Sequence, residues 1–313
     1  MMSKREKDWR KIDSRLIGLG REIGKYFKEM FIIDEEKLRK ELEYENKFHI
    51  GRPRSMPESV VRLGFIYHAV FGLQWRQTEG LLKEIVGEEF VATYPQIRER
   101  SKHYEAEGAK IIKLSGNRGS ICIFTDLLKQ NDFFIDSTGL SLKRRSLWRS
   151  FKFKNPLNQK WVKMHILMNK EGQICALALT NSTVSDSEIF REILRYVPRR
   201  SRIYGDKAYF ARKNYKMSAE RNIEFHSPPK KNARTLAKGV PSYRKEVLMY
   251  KKLGYERWAA NTGYKQRFNK EYIFARYKAI FGESTNDRTF LPIFSSAILR
   301  CSLLNSSLIP KPK

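Results

Sequence analysis

The spacing of apolar residues changes once along this chain, near Gly116, and the change restricts the folds open to it. Before Gly116 the apolar side chains recur every three or four residues, which is the period of an amphipathic helix. After Gly116 they form short runs separated by polar turns, which is typical of strands. The 313 residues are enough for roughly two domains. The pattern predicts an all-helical N-terminal region followed by an α/β domain, a mixed sheet with flanking helices.

The helical half is built from several separate segments. An apolar stripe of helical period runs from Ile12 to Ile23, and residues 1–50 are expected to form an N-terminal helical segment. Between residues 51 and 115 helices follow one another across short glycine turns, and the last is basic. This order resembles a helix-turn-helix module, so we predict a DNA-binding region over residues 51–115, although a purely structural bundle fits the same pattern. The predicted helices are 35–46, 57–71, 76–86 and one that begins at Pro95.

The second half alternates strands and helices. Its first three apolar runs follow in close succession, so they are expected to form an antiparallel meander. A helix with a capping box at Ser185 and Glu188 comes next, followed by strand, helix and strand. The succession predicts a mixed sheet in a domain over residues 130–305. The predicted strands are 132–138, 161–169, 174–181, 201–206 and 223–226, and the predicted helices are 185–197 and 212–221.

The charge of the chain indicates a polyanionic partner. The chain has 62 Lys and Arg against 34 Asp and Glu, a net charge of +28. Residues 1–130 carry +5 of this and residues 131–313 carry +23, whereas charge that served solubility alone would be spread more evenly. Basic side chains cluster in 141–163, where aromatics are interleaved, and in a basic insertion at about 230–257. We expect contacts with DNA phosphates from the cations of these two clusters, in the first Lys143, Arg144, Arg145, Arg149, Lys152, Lys154, Lys160 and Lys163, and in the second Lys230, Lys231 and Arg234.

Two acids stand at the ends of apolar runs in this basic half. Asp136 ends the run that begins at Phe133, and Asp206 ends the run that begins at Ile203. A carboxylate on a buried strand is costly unless it is paired or metal-bound. Either residue alone is explained by a turn hydrogen bond at a strand end. Two such acids in one sheet favour a ligand site, because sites gather beyond the carboxyl ends of strands.

A third acid lies in a predicted helix from Trp258 to Phe281. At 100° per residue, Tyr264, Arg267, Glu271 and Lys278 fall within an arc of about 60° on that helix. One face would therefore present a phenol, a guanidinium, a carboxylate and an ammonium together. A solvated face with an Arg267–Glu271 ion pair is the simpler alternative.

These residues and the strand-end acids carry a family resemblance. Tyr264-x2-Arg267-x3-Glu271-x6-Lys278 resembles, without a gap, the YREK signature of the DDE transposases of bacterial and archaeal insertion sequences. The segments 136–139 and 204–209 resemble the first and second acid motifs of the IS-four/IS-five-like superfamily, and 51–53 and 72–79 resemble its N-terminal region. The resemblance covers residues 50–305. Lys270 departs from it, since many relatives have an apolar residue there.

The resemblance implies a ribonuclease H-like core that cuts and rejoins DNA with divalent metal. Two metal ions about 4 Å apart can activate the attacking oxygen and stabilise the leaving oxygen, and Mg²⁺ or Mn²⁺ prefers carboxylate ligands. By resemblance, Asp136 is expected to bridge two ions, with Asp206 and Glu271 each holding one. Arg267 and Lys278 would hold phosphates, and Tyr264 would stack on or hydrogen-bond to flanking DNA.

The expected activity is cleavage at the ends of a mobile element, followed by strand transfer into target DNA. Water would attack first to free a 3′-OH, and that hydroxyl would then attack the target. The expected partners are double-stranded DNA, as terminal inverted repeats and as target, and a second copy of the chain on paired ends. Two alternatives stay open, which are an inactive transposase-derived DNA-binding protein and a stand-alone ribonuclease H-like nuclease.

Other features exclude further classes. The three cysteines are widely spaced and odd in number, so neither a disulfide framework nor a zinc cluster is indicated. The sequence contains no Gly-rich phosphate loop, so a nucleotide cofactor is not indicated. It also contains no long apolar run or signal peptide that would indicate a membrane. We expect a soluble prokaryotic protein of the cytoplasm, associated with the nucleoid. His165 is interpreted as structural, and Asp186 as local to the first turn of its own helix.

Overall fold

The computed structural model of the protein describes residues 34–102, 104, 106, 108–142, 161–270, 272–285, 287 and 289–306, so the predicted helix from Ile12 to Ile23 lies outside the described residues. The chain divides into two compact units. The first runs to Tyr104 and takes in the chain from Ser295 onwards, and the second runs from Glu105 to Phe294. The predicted domain boundaries at residues 50, 115 and 130 stay predictions.

The first unit is helical, as the apolar period predicted. Its core is formed where Val61, Leu82 and Ile97, from three different helices, are all buried together. Asp34 caps the first helix by accepting a hydrogen bond from the N–H of Glu36 at 3.0 Å. The helices are α1 (Glu35–Lys47), α2 (Glu58–Phe71), α3 (Trp75–Val86) and α4 (Tyr94–Ser101), and residues of the last helix, α9 (Phe290–Ser306), join them from Ser295 on.

A tight turn joins α2 to α3, as predicted. α2 ends at Gly72, whose φ of 70° lies in the left-handed region that favours glycine. Nδ1 of His68 lies 2.6 Å from the carbonyl oxygen of Leu73. The N–H of Gln74 donates to the side chain of Gln77 at 2.9 Å, which fixes the start of α3. Two helices joined by a short turn are therefore present, while the helix-turn-helix and its binding to DNA stay predictions.

The charges of this helical segment are balanced. Residues 34–102 carry 12 basic and 12 acidic side chains. The guanidinium of Arg100 donates to the carbonyl oxygen of Met56 and lies 2.7 Å from the carboxylate of Glu58. Lys102 pairs with Glu99. The basic surface that the sequence predicted on α4 is thus largely neutralised by acids of the same unit.

The second unit is built on a mixed sheet. Within the described residues the sheet has eight strands in the order β1-β2-β5-β4-β3-β6-β7, with β8 paired to β3. β3, β4 and β5 are antiparallel neighbours, and β6 and β7 continue the sheet parallel to β3. The strands are β1 (Ala109–Lys113), β2 (Gly119–Phe124), β3 (Asp132–Leu142), β4 (Trp161–Asn169), β5 (Ile174–Asn181), β6 (Arg202–Gly205), β7 (Glu224–His226) and β8 (Ser284–Thr285).

This sheet confirms the predicted meander and the predicted α/β class, a mixed sheet with flanking helices. One part of the sequence prediction was wrong, because the chain before residue 130 is not all helical. β1 and β2 pair antiparallel over residues 109–124 and extend the sheet beyond β5. Their isoleucines were too few to show a strand period, and Ile111 on the edge strand is exposed while Ile121 is buried.

The helices of the second unit flank this sheet, and one of them was missed. The long helix α7 contains the break at Gly254, where φ is 71°, and it covers most of the stretch that the sequence suggested was a basic insertion. The helices are α5 (Asp186–Leu194), α6 (Arg212–Glu220), α7 (Pro241–Thr262) and α8 (Tyr272–Phe281). Across the described residues, no helix combines the length and the apolarity needed to cross a membrane.

The single helix predicted from Trp258 to Phe281 is also wrong. α7 ends at Thr262 because Gly263 adopts a left-handed φ of 75°. A 3₁₀ segment over Tyr264–Lys270 follows, and α8 begins only at Tyr272. Tyr264 and Arg267 therefore do not share a helix face with Lys278, and the calculated arc of 60° does not apply.

Gly64 is closely packed in the helical core, so substitution of this residue tests that packing. A Cβ at Gly64 of α2 would lie 2.9 Å from Leu82 and 3.3 Å from Ile97, whereas a Cβ at Gly80 of α3 meets nothing within 4 Å. Both substitutions by alanine gain the same helix propensity, so their difference isolates the packing. We expect Gly64→Ala to be less stable than Gly80→Ala by about 1–3 kcal/mol in the free energy of unfolding. Urea denaturation of the two variants checks this, and equal midpoints would contradict the packing described.

Candidate active site

Asp136 lies where β3 leaves the buried core. The strand is buried from Asp132 to Ile135, and the next three residues are half-buried. Oδ2 of Asp136 lies 3.1 Å from Nη2 of Arg267, and these side chains are 20% and 11% exposed. Oδ1 accepts a hydrogen bond from the N–H of Ser137 at 2.9 Å. The carboxylate is thus held at the margin of the core with a positive charge against it.

Asp206 lies beside Asp136 on the neighbouring strand. β3 and β6 run parallel with Ile135 opposite Gly205, so the two acids are the next residues along both strands. Neighbouring strands lie about 4.8 Å apart, and the two acids therefore meet at one end of the sheet. The carboxylate of Asp206 accepts a hydrogen bond from the N–H of Ala208 at 2.8 Å, and its carbonyl accepts one from Ser227 at 2.7 Å. The structure brings the two strand-end acids together.

The remaining acid and part of the basic set are not described. Glu271, Lys143, Arg144 and Arg145 lie outside the described residues, so their predicted roles stay predictions. Within the described residues, no three His, Cys, Asp or Glu side chains are grouped so that they hold a metal ion. A complete set of metal ligands would therefore have to include a residue beyond Asp136 and Asp206.

Tyr264 is buried against the strand that carries Asp206. Its side chain is 3% exposed, and its ring lies 4.8 Å from that of Trp258. Its hydroxyl donates to the carbonyl oxygen of Gly205 at 3.2 Å, and burial raises its pKa above the usual range. In this structure Tyr264 is packed within the protein, and its expected contact with flanking DNA stays a prediction.

A buried carboxylate that sequence analysis missed supports the same region. Glu246 of α7 is 4% exposed, and it accepts a hydrogen bond from Nε1 of Trp258 at 3.1 Å. Nδ1 of His226, at the end of β7, lies 3.2 Å from the same carboxylate. Because Trp258 and Glu246 lie on opposite sides of Gly254, the contact joins the two parts of α7. The rarity of acids in residues 230–257 was the one sequence feature that could have drawn attention to Glu246.

A second buried polar cluster lies behind Ser137. Oδ2 of Asp186 lies 2.8 Å from Nζ of Lys163, and Oδ1 lies 3.2 Å from Nδ1 of His165. His165 is fully buried, and its Nε2 lies 3.2 Å from the hydroxyl of Thr180. The interpretation of Asp186 as local to its helix is therefore wrong, because its carboxylate reaches across to β4. Lys163, expected to face DNA, is only 17% exposed and is paired with Asp186.

The other predicted cations are placed differently. Lys230, Lys231 and Arg234 are exposed on the connection between β7 and α7. Lys278 of α8 is 30% exposed and lies 3.4 Å from the carboxylate of Glu283. Arg267 faces Asp136 and not the solvent. The structure therefore gathers Asp136, Asp206, Tyr264 and Arg267 at one end of the sheet and leaves the other cations to be assigned by experiment.

A family model matches the part of the chain that contains these residues. Residues 128–305 match the family model described as the transposase DDE domain, which covers more than half of the chain. No curated protein matches the chain.

Among solved structures, the chain is similar to the piggyBac transposase synaptic complex with hairpin DNA, at 9% identity and a TM-score of 0.38, covering 94% of this chain and 75% of that one. It is also similar to the Mos1 strand transfer complex, at 8% identity and a TM-score of 0.32, covering 83% and 76%. The Drosophila P element transposase strand transfer complex matches at 12% identity and a TM-score of 0.29, covering 87% and 85%.

The family match spans both strand-end acids, the parallel pair of strands that places them together, and the segment that brings Arg267 to Asp136. The chain belongs to the family of transposases with a DDE domain.

Proposed function

We propose that this transposase cleaves DNA at the ends of an insertion sequence of the IS-four/IS-five-like group and joins the freed 3′ ends to target DNA. The observation that carries the proposal is the adjacency of Asp136 and Asp206 at the ends of two parallel strands. Each acid comes directly after buried strand residues, where a carboxylate is costly without a partner. We assign Glu271, from the YREK signature, as the third acid.

The donors at this end of the sheet suit two divalent ions. Carboxylate oxygens are the ligands that Mg²⁺ and Mn²⁺ prefer. The arrangement already holds a positive charge, because Arg267 lies 3.1 Å from Asp136. Asp136 would contact both ions, and Asp206 and Glu271 would each hold one. When bound, such ions supply an activated attacking oxygen and a stabilised leaving oxygen.

The neighbouring residues would hold the acids and the DNA. Tyr264 fixes the carbonyl of Gly205 and so the backbone that leads into Asp206. Arg267 is a bidentate donor that can pass from Asp136 to a phosphate oxygen when DNA enters, because both are anionic oxygen groups. Lys278 would hold a second phosphate near the cut. These contacts position the scissile phosphate beside the acids, which is a large part of catalysis in phosphoryl-type transfers.

The charge distribution assigns most DNA contacts to the second half of the chain. Residues 131–313 carry a net +23, and Lys230, Lys231 and Arg234 are exposed there. Residues 34–102 are electrically balanced, so a helix-turn-helix contact by α2–α4 would depend on base recognition more than on charge. We propose that two copies of the chain act together, since transfer of both ends of an element requires that they be paired.

The acids are tested by isosteric substitution. We expect Asp136→Asn, Asp206→Asn and Glu271→Gln each to abolish metal-dependent cleavage and strand transfer, because an amide is a poor ligand for Mg²⁺. Binding of labelled element ends should stay within about twofold of the unchanged protein, since one neutralised acid removes no phosphate contact. Gel assays of cleavage, joining and end binding measure all three steps.

A matched control uses an acid outside the site. Asp126 is 75% exposed and pairs with Lys129 on the surface, so Asp126→Asn should leave cleavage unchanged. Cleavage retained by any triad variant removes that residue from the site. Cleavage without joining in the unchanged protein would instead support the stand-alone nuclease, and end binding without cleavage would support the inactive DNA-binding protein.

The basic connection is tested by the salt dependence of DNA binding. Replacing Lys230, Lys231 and Arg234 by glutamine should flatten the slope of log affinity against log salt by about 2–3 units, because each phosphate contact releases counterions. The matched control replaces three exposed lysines of α1, Lys37, Lys40 and Lys47. Fluorescence anisotropy over a salt series measures both slopes, and an unchanged slope in the first variant would remove this connection from the DNA interface.

A further inference from the structure

The long helix α7 consists of two helical parts that meet at Gly254. This glycine has φ 71° and ψ 172°, a backbone conformation that is not helical and that favours glycine. A Cβ at Gly254 would meet nothing within 4 Å, so no neighbouring atom fixes the kink on that side. The direction of the second part of α7 therefore depends on contacts that other side chains make across the kink.

Glu246 and Trp258 form the polar contact across this kink. Nε1 of Trp258 donates to Oε1 of Glu246 at 3.1 Å, and both side chains are buried. The ring of Tyr250 lies 5.3 Å from that of Trp258 and adds an aromatic contact between the same two parts. Nδ1 of His226 lies 3.2 Å from Oε1 of Glu246, at the end of β7. Glu246 thus links the second part of α7 to the sheet.

Trp258 continues this link to the strand that carries Asp206. The ring centroids of Trp258 and Tyr264 are 4.8 Å apart. The hydroxyl of Tyr264 donates to the carbonyl oxygen of Gly205 at 3.2 Å, and Gly205 directly precedes Asp206. A continuous series of side-chain contacts therefore joins Glu246 to the backbone that leads into the second strand-end acid.

The end of α7 also leads to the first strand-end acid. The carbonyl oxygen of Thr262 accepts a hydrogen bond from the hydroxyl of Tyr204 at 3.1 Å, which ties the last turn of α7 to β6. The 3₁₀ segment Tyr264–Lys270 follows, and in it Nη2 of Arg267 lies 3.1 Å from Oδ2 of Asp136. The segment that meets both acids is therefore the direct continuation of the part of α7 that Glu246 holds.

A cavity beside these contacts explains why a directed hydrogen bond is needed. Its volume is about 290 Å³, and its lining includes Glu246, His226, Asn261 and Thr262. The second part of α7 is therefore not fixed on this side by close apolar packing. A buried carboxylate is costly to remove from water, so stability alone is a weak reason for its presence, whereas its hydrogen bonds specify one orientation.

We propose that Glu246 is a positioning residue of the transposase site. Through its hydrogen bond with Trp258 it holds Tyr264 against Gly205 and keeps the segment of Arg267 beside Asp136. In this role Glu246 touches neither DNA nor metal. The proposal rests on the proposed function of Asp136 and Asp206.

The first test measures the rate of end cleavage by the full chain with Mg²⁺ at saturating DNA. We expect Glu246→Leu to lower this rate by about tenfold or more, because small displacements of catalytic groups have effects of this size. Affinity for labelled element ends should stay within about twofold, since no phosphate contact is removed. Glu246→Gln should cleave within about threefold of the unchanged protein, because its amide oxygen can still accept the hydrogen bond from Trp258.

Two further variants separate the hydrogen bond from stability. Trp258→Phe removes the donor of the same hydrogen bond and keeps a ring beside Tyr264, so its loss of rate should not add to that of Glu246→Leu. Val247→Ala is the matched control, because Val247 is the next residue of α7 and is fully buried in the main core. It should lower the unfolding temperature by leaving a cavity, while the cleavage rate stays unchanged at a temperature where the variant is folded.

Hydrogen exchange gives a readout that does not depend on activity. The backbone amides of residues 258–267 should exchange faster in Glu246→Leu, because loss of the contact lets this segment open locally. They should exchange at the original rate in Glu246→Gln, which retains the acceptor. Mass spectrometry of peptides that cover residues 258–267 measures both rates.

Each outcome decides between distinct conclusions. Unchanged cleavage or unchanged exchange in Glu246→Leu would overturn the positioning role and leave the proposed function in place. An equal loss of rate in Val247→Ala would assign the effect to stability, and an equal loss in Glu246→Gln would assign it to charge, and either result overturns the role. If the unchanged protein does not cleave element ends, the proposed function fails and this role fails with it.

Discussion

The parallel pairing of β3 with β6 is the constraint on which the site depends. It sets Ile135 opposite Gly205, and so it makes Asp136 and Asp206 neighbours although 69 residues separate them in the chain. A shift of the pairing by one residue would turn one of the acids to the other face of the sheet. The register is specified by burial, since Phe133, Ile135 and Ile203 pack into one core. Ordinary apolar packing therefore determines where the carboxylates meet.

Two like charges at one end of a sheet repel each other, and the surroundings compensate for this. Arg267 lies against Asp136, while backbone N–H groups of Ser137 and Ala208 donate to the two carboxylates. Behind the sheet, the anion of Asp186 is matched by Lys163. Beside it, Glu246 is matched by hydrogen bonds from Trp258 and a contact with His226. Asp136, Asp206, Asp186 and Glu246 therefore each have a donor or a cation of their own within the protein.

The strands of the meander and the DDE transposase family could be predicted from the sequence because the patterns that indicate them are local. β4 and β5 have the predicted bounds, and Ser185 caps α5 by accepting a hydrogen bond from the N–H of Glu188, which is one of the two bonds of the predicted capping box. The helix from Trp258 to Phe281 failed because the apolar period continues across Gly263, while the left-handed glycine ends the helix. Asp186 was misjudged for a different reason, since a side chain's partner across the sheet is not encoded in its neighbours along the chain. Long-range pairs such as Lys163 with Asp186 follow only from the register of the strands.

The contacts of individual cations divide the positive charge of the chain into two groups. Cations of the second unit are of two kinds, those committed to internal pairs, such as Lys163 and Arg267, and those exposed on connections, such as Lys230 and Lys231. The first kind fixes the shape of the site and changes little with salt, because partly buried pairs are screened weakly. The second kind, in its proposed contact with DNA, would attract phosphates over a distance of about 10 Å at 0.1 M salt and would lose that attraction as salt rises. Affinity for DNA and the geometry of catalysis therefore respond to different variables, although lysine and arginine supply both.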